Sequence, residues 1–180
     1  MKTFLIILCL AVSSIAEDTG TPVYIANVEM HVSRRFSQEE TDRLAHFLIT
    51  TLANKCTDLD LAVLTGSDVH CDLRIDVFLS KAWDPRNQAS KAYAVFVQAA
   101  NTAKLRKRLE AANLSEDQVN QWIDDKQYPV LVADYVHWTI CPADELRGDL
   151  TACMDEIAKS VVPELKKTGP PTLKLRKATQ

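Results

Sequence analysis

Four histidines stand in this sequence, His31, His46, His70 and His137, and three of them have carboxylates or a phenol close by. Glu29 precedes His31 by two residues, Asp72 and Asp76 follow His70 at even spacing, and Tyr135 lies two before His137. Residues two apart in a strand share a face, so these groups are expected to project together from the outward surface of a sheet. Imidazole and carboxylate are the donor types of a transition-metal site. No histidine pair falls on one helical turn, there is no His-Glu-x-x-His, no Gly-x-Ser-x-Gly and no glycine-rich phosphate loop. A serine, a histidine and an aspartate are all present, but no spacing assembles them. The expectation is a non-enzymatic protein without catalytic residues, cofactor or bound metal, whose sheet face is solvated or covered by a partner.

The cysteines must be read through the compartment. Lys2, the apolar run Phe4 to Val12, and the small residues Ser14 and Ala16 have the form of a secretory leader over residues 1–16, cut before Glu17. The run is shorter than the roughly 20 residues that span a bilayer. Cys9 leaves with that leader, and Cys56, Cys71, Cys141 and Cys153 remain. Four thiols in an oxidising compartment are expected to form two disulfides. Three pairings are open. The order of elements favours Cys56–Cys71 with Cys141–Cys153, provided that the last helix begins late enough for residues 142–148 to fold back.

The segment from Cys141 to Cys153 holds the tripeptide Arg147-Gly148-Asp149. This stretch resembles the integrin-binding loop of disintegrins. The resemblance implies that Arg147 reaches an acidic pocket, that Asp149 completes the coordination of a metal ion on the integrin, and that Gly148 permits the turn between them. It covers thirteen residues; the rest of the chain lacks the cysteine density of that family. The plain alternative is that Asp149 caps a helix. Asn113-Leu114-Ser115 is an N-glycosylation sequon at a break between helices, so Asn113 is a candidate glycan site. Gly66-Ser67-Asp68-Val69 resembles the self-cleaving turn of SEA domains, although Asp68 and His70 interrupt the apolar run of that family.

Period-two alternation marks strands at Tyr24–Val32, Val69–Leu79, Tyr93–Ala99 and Pro129–Ile140, with a further short strand suggested at Leu61–Leu64. Ser37 with Glu40 forms a capping box ahead of the stripe Leu44, Phe47, Leu48, Leu52 and Cys56. A second helix starts at Thr102, with Leu105, Leu109 and Ala112 inward. It stops near Asn113 and restarts at Ser115, with Val119, Trp122 and Ile123 inward. A final helix occupies part of 144–162. The order β-α-β-β-α-β plus a terminal helix is expected to fold as a ferredoxin-like α+β sandwich, a four-stranded antiparallel sheet with two helices on one face. An SEA-like arrangement is the variant. The expected organisation is a leader (1–16), a loose start (17–22), a single domain (23–165) and a basic tail (166–180).

The chain of 180 residues carries a formal charge of −3, with 21 Lys and Arg against 24 Asp and Glu. Lys166, Lys167, Lys174, Arg176 and Lys177 concentrate positive charge in the tail, which leaves the body acidic. That balance argues against nucleic acid and against an anionic membrane as partners of the body. Three functions follow. The leading one is a secreted interaction protein that binds an extracellular protein or self-associates through the outer sheet face, where Phe78 sits among charges; integrin binding is its special case. The second is a carrier holding an apolar small ligand between sheet and helices, lined by Tyr93, Phe96, Trp122, Tyr135 and Trp138. The third is a hydrolase using a metal on the outward histidines.

Overall fold

The computed structural model describes residues 23–57, 59–66, 71–83, 91–124 and 133–169. Five strands form one mixed sheet: β1 (Tyr24–Val32), β2 (Leu61–Leu64), β3 (Leu73–Trp83), β4 (Lys91–Asn101) and β5 (Tyr135–Pro142), in the order β2-β1-β3-β4-β5. The helices are α1 (Gln38–Lys55), α2 (Thr102–Ala111), α3 (Glu116–Asp124), α4 (Leu146–Ser160) and α5 (Val162–Thr168). Strand β1 runs parallel to both β2 and β3, while β3–β4 and β4–β5 are antiparallel.

The architecture is α+β, as expected, but the sheet is not the four-stranded antiparallel one. The hairpin β3–β4 is present. Two placements differ. Helix α1 carries the chain back so that β3 lies parallel beside β1. Helices α2 and α3 do not cross the sheet. They form a small unit at one end, where Leu105, Leu109 and Val119 pack on Ala100, and the chain then returns antiparallel beside β4. The expected strand at Leu61–Leu64 exists, as the edge partner of β1. Of the SEA-like turn, Ser67, Asp68 and Val69 lie outside the described residues, as do the leader, the loose start and most of the tail.

Helices α1 and α4 share the inner layer. Ser37 accepts the Glu40 amide while the Glu40 side chain accepts the Ser37 amide, so the capping box is closed. That anchors the stripe Leu48, Leu52 and Cys56 over the sheet. The buried positions of α4 are Leu146, Leu150, Cys153, Met154 and Ile157, at helical spacing. Beneath them lie Ala26, Val28, Leu73, Ile75, Val77, Leu79, Val95, Val97 and Ala99, every one buried. Burying each large aliphatic chain stabilises the fold by about 1.5–3 kcal/mol. The apolar stripe of α4 packs it beside α1, which makes the terminal helix half of the main helix layer. The space proposed for an apolar ligand between sheet and helices is occupied by this core.

Candidate functional site

The outer sheet face is built in rows. Strand register sets His31 beside Phe78, Phe78 beside Phe96, and Phe96 beside Trp138, an aromatic row that crosses β1, β3, β4 and β5. The His31 ring stacks on Phe78 with centroids 4.3 Å apart, and Phe78 meets Phe96 at 5.6 Å. These separations fall in the range favoured by aromatic pairs. The adjoining row is polar: Glu29, Asp76, Gln98, then Val136. Asp76 is fully buried there. It accepts from Arg74 Nε at 3.2–3.3 Å and from Gln98 Nε2 at 3.3 Å, and it lies 3.1 Å from His31 Nε2. Arg74 also reaches Glu29 at 3.5 Å. This ion-pair network fixes the rotamers under one side of the aromatic row. On the other side a groove of about 700 Å³ runs between His31, Phe78, Phe96, Trp138, Ser33 and Ser80.

Strand β5 ends the sheet. Its outer residues Val136, Trp138 and Ile140 are the exposed large hydrophobics of the described residues, with Trp138 67% accessible. From Tyr135 to Pro142 the strand holds no Asp, Glu, Lys or Arg. Edge strands of soluble proteins are commonly protected by charge, proline or a covering segment, because their free amides and carbonyls recruit other chains. Apart from Pro142 at its last position, β5 has none of these among the described residues.

The inner face of β5 carries a second group. His137 was expected outward; register instead places it beside Val97, facing α4. There His137 Nε2 lies 3.1 Å from Asp149 Oδ1, and the ligand atoms of His137, Asp149 and Cys153 all lie within 4.8 Å of one another. The Tyr135 hydroxyl donates to the Cys153 sulfur, and burial pushes that thiol up to about 11. A similar trio, Glu29, His31 and Asp76, stands on the outer face. Of the other histidines, His46 is exposed on α1 and His70 lies outside the described residues.

All four cysteines are thiols. The expected pairing does not form, for geometric reasons. Helix α4 begins at Leu146, so the seven steps to Cys153 carry it about 10 Å back along the sheet, to Tyr135 and His137 and away from Cys141. Cys56 belongs to the core under α1, whereas the Cys71 thiol takes a hydrogen bond from the Asn27 amide and sits in the field of Arg74 and Asp76. Burial raises Cys56 and Cys141 to about 11 and Cys71 to about 12.

The tripeptide Arg147-Gly148-Asp149 is helical, in the opening turns of α4, and not a tethered loop. The Arg147 guanidinium lies over the Phe47 ring at 5.4 Å, and Asp149 is held by His137. A methyl group at Gly148 would meet nothing within 4 Å, so no turn requires that glycine. This corrects the extended geometry that the disintegrin resemblance implied; nor is Asp149 the cap, since the N-cap is Glu145. Asn113 is exposed with φ 60° between α2 and α3, where the sequon was expected to be accessible. The candidate cavity aromatics divide. Phe96 and Trp138 lie on the outer face, Tyr93 and Tyr135 pack against the helix-side core, and the Trp122 side chain lies outside the described residues.

No family model matches the chain, and no curated protein matches it. Among solved structures it is similar to a PelC dodecamer subunit from Paraburkholderia phytofirmans, at 9% identity and TM-score 0.39, covering 79% of this chain and 92% of that one. It is also similar to a putative neuraminyllactose-binding hemagglutinin homolog from Helicobacter pylori, at 9% identity and TM-score 0.33, covering 81% and 84%. Likeness at this level carries no functional argument. Among the described residues no helix is long and apolar enough to cross a membrane.

Proposed function

We propose that this is a secreted, non-enzymatic interaction protein that self-associates by pairing the edge strand β5 with β5 of a second copy. The observation that carries this reading is an uncharged edge strand whose outer side presents Val136, Trp138 and Ile140. Two-fold antiparallel pairing sets identical strands against each other, and a central Lys or Glu would then face its own like charge across the axis. Strand β5 has no such residue. Pairing about an axis normal to the sheet keeps both outer faces on one side, so the two exposed triplets join and the aromatic rows run together across both copies. The paired amides supply affinity and the apolar triplet supplies burial.

The leader pattern of residues 1–16 supports export. The free thiols of Cys56, Cys141 and Cys153 are compatible with it, because a buried, protonated thiol is a poor nucleophile and resists oxidation. Sedimentation velocity over a concentration series tests the pairing. The protein should shift from monomer to dimer, and Trp138→Asp should remain monomeric with an unchanged circular dichroism spectrum. A wild-type protein that stays monomeric at all concentrations would refute the reading.

The outer groove favours one second reading, an apolar small ligand bound on the sheet's outer face against Phe78, Phe96 and Trp138. Organic extraction of purified protein followed by mass spectrometry tests it, and an empty extract would remove it.

A further inference from the structure

We propose that His137, Asp149 and Cys153 form a binding site for a zinc-like divalent transition-metal ion between β5 and α4. Asp149 and Cys153 are four residues apart on one helix and therefore share a face one turn apart. His137 meets them from the neighbouring strand. The three ligand types, nitrogen, oxygen and sulfur, suit Zn²⁺ or Co²⁺ and not the all-oxygen preference of Ca²⁺ or Mg²⁺. Ligand bonds of about 2.0–2.3 Å in tetrahedral geometry need ligand atoms roughly 3.3–3.8 Å apart. The three ligand atoms lie within 4.8 Å of one another, so binding would draw them together by up to about 1 Å.

A second, independent observation points to a cation. Asp149 Oδ2 is buried and has no hydrogen-bond partner among the described residues. A buried carboxylate oxygen left in that state carries a desolvation cost that an ion would offset. The outer trio of Glu29, His31 and Asp76 differs on this point. There the Arg74 guanidinium lies 3.2–3.5 Å from both carboxylates and already supplies the positive charge.

Binding exchanges a proton for the metal. The Cys153 S–H bond breaks as the S–metal bond forms, one proton leaves to solvent, and no electron is transferred. A carboxylate, an imidazole and a thiolate together bring a ligand charge of −2, which balances the ion. Tyr135, whose hydroxyl donates to the Cys153 sulfur, would steady that thiolate as an outer-shell donor. The His137 and Asp149 side chains are 31% and 20% accessible, so solvent reaches the site and a water can complete four-coordination.

Co²⁺ alone, added to the reduced full-length protein, provides the test. Expected are one ion per chain, a thiolate-to-cobalt charge-transfer band with the visible bands of a four-coordinate ion, and release of about one proton per ion. Cys153→Ala should abolish the charge-transfer band. His137→Gln, at a partly exposed position that tolerates change, should weaken binding by at least the roughly 10–100-fold seen for outer-shell losses. Glu29→Gln should change neither. Absence of the band in the wild type, or its survival in Cys153→Ala, would overturn the proposal. Unchanged affinity in His137→Gln would overturn it too, even if the cysteine variant failed to fold.

Discussion

Replacing Asp76 by alanine tests the platform under the aromatic row. The carboxylate is fully buried and meets three side chains, Arg74, Gln98 and His31, at 3.1–3.3 Å. Breaking a buried ion pair by removing one partner costs about 3–5 kcal/mol, because the remaining charge loses its compensation. Arg74 keeps Glu29 at 3.5 Å, which pulls the estimate to the lower half of that range. Gln98 Nε2 loses its carboxylate acceptor, which adds about 1 kcal/mol. The expected loss is therefore about 4–5 kcal/mol, read by urea denaturation followed by far-ultraviolet circular dichroism at pH 7, with the m-value unchanged. Asp76→Asn preserves the shape and should cost about half as much. The double change Arg74→Met with Asp76→Leu removes both charges together and should cost less than Asp76→Ala, since buried pairs replaced by apolar side chains are often nearly neutral. A loss below about 1 kcal/mol for Asp76→Ala, or a double variant less stable than the single one, would refute the reasoning.

Ser37→Ala opens the capping box of α1 and should lower stability by about 1 kcal/mol in the same denaturation assay. The buried thiols make stability sensitive to alkali. Cys153 is held near 11 when folded against about 9 when unfolded, so its contribution is fully present below about pH 9 and is lost as pH rises toward 11. The loss is roughly 2 kcal/mol at about pH 10.5 for this thiol. Cys153→Ala should flatten that part of a stability–pH profile, and an identical profile would contradict the burial of its sulfur. Expression in a eukaryotic secretory host should add a glycan, read as a mass increment that Asn113→Gln removes.

Much of the inner face was legible in the sequence. The alternation through Leu73, Ile75, Val77 and Leu79 and the stripe Leu48, Leu52 and Cys56 are hydrophobic-period signals, and their side chains are buried as read. The Ser37–Glu40 box was legible because it is local. Strand order was not, since periodicity reports which face a residue takes and not which strand lies beside it. The same blindness hid the aromatic row: Phe78, Phe96 and Trp138 come from three strands and meet only through register. His137 was assigned to the wrong face because β5 carries apolar residues on both sides, Tyr135 and Cys141 inward and Val136, Trp138 and Ile140 outward, so alternation does not select the buried one. The Asp149 and Cys153 pair had a sequence signal, two ligand types four residues apart on an amphipathic helix. The disulfides were inferred from compartment and count, which say nothing about whether two sulfurs face each other.

Hydrogen–deuterium exchange of the β5 backbone at low and high protein concentration tests the central claim most directly. Amides within residues 135–142 should gain protection as concentration rises, while those of the interior strand β3 stay unchanged. Exchange of β5 that is independent of concentration, up to the highest concentration at which the protein stays soluble, would contradict edge-to-edge pairing.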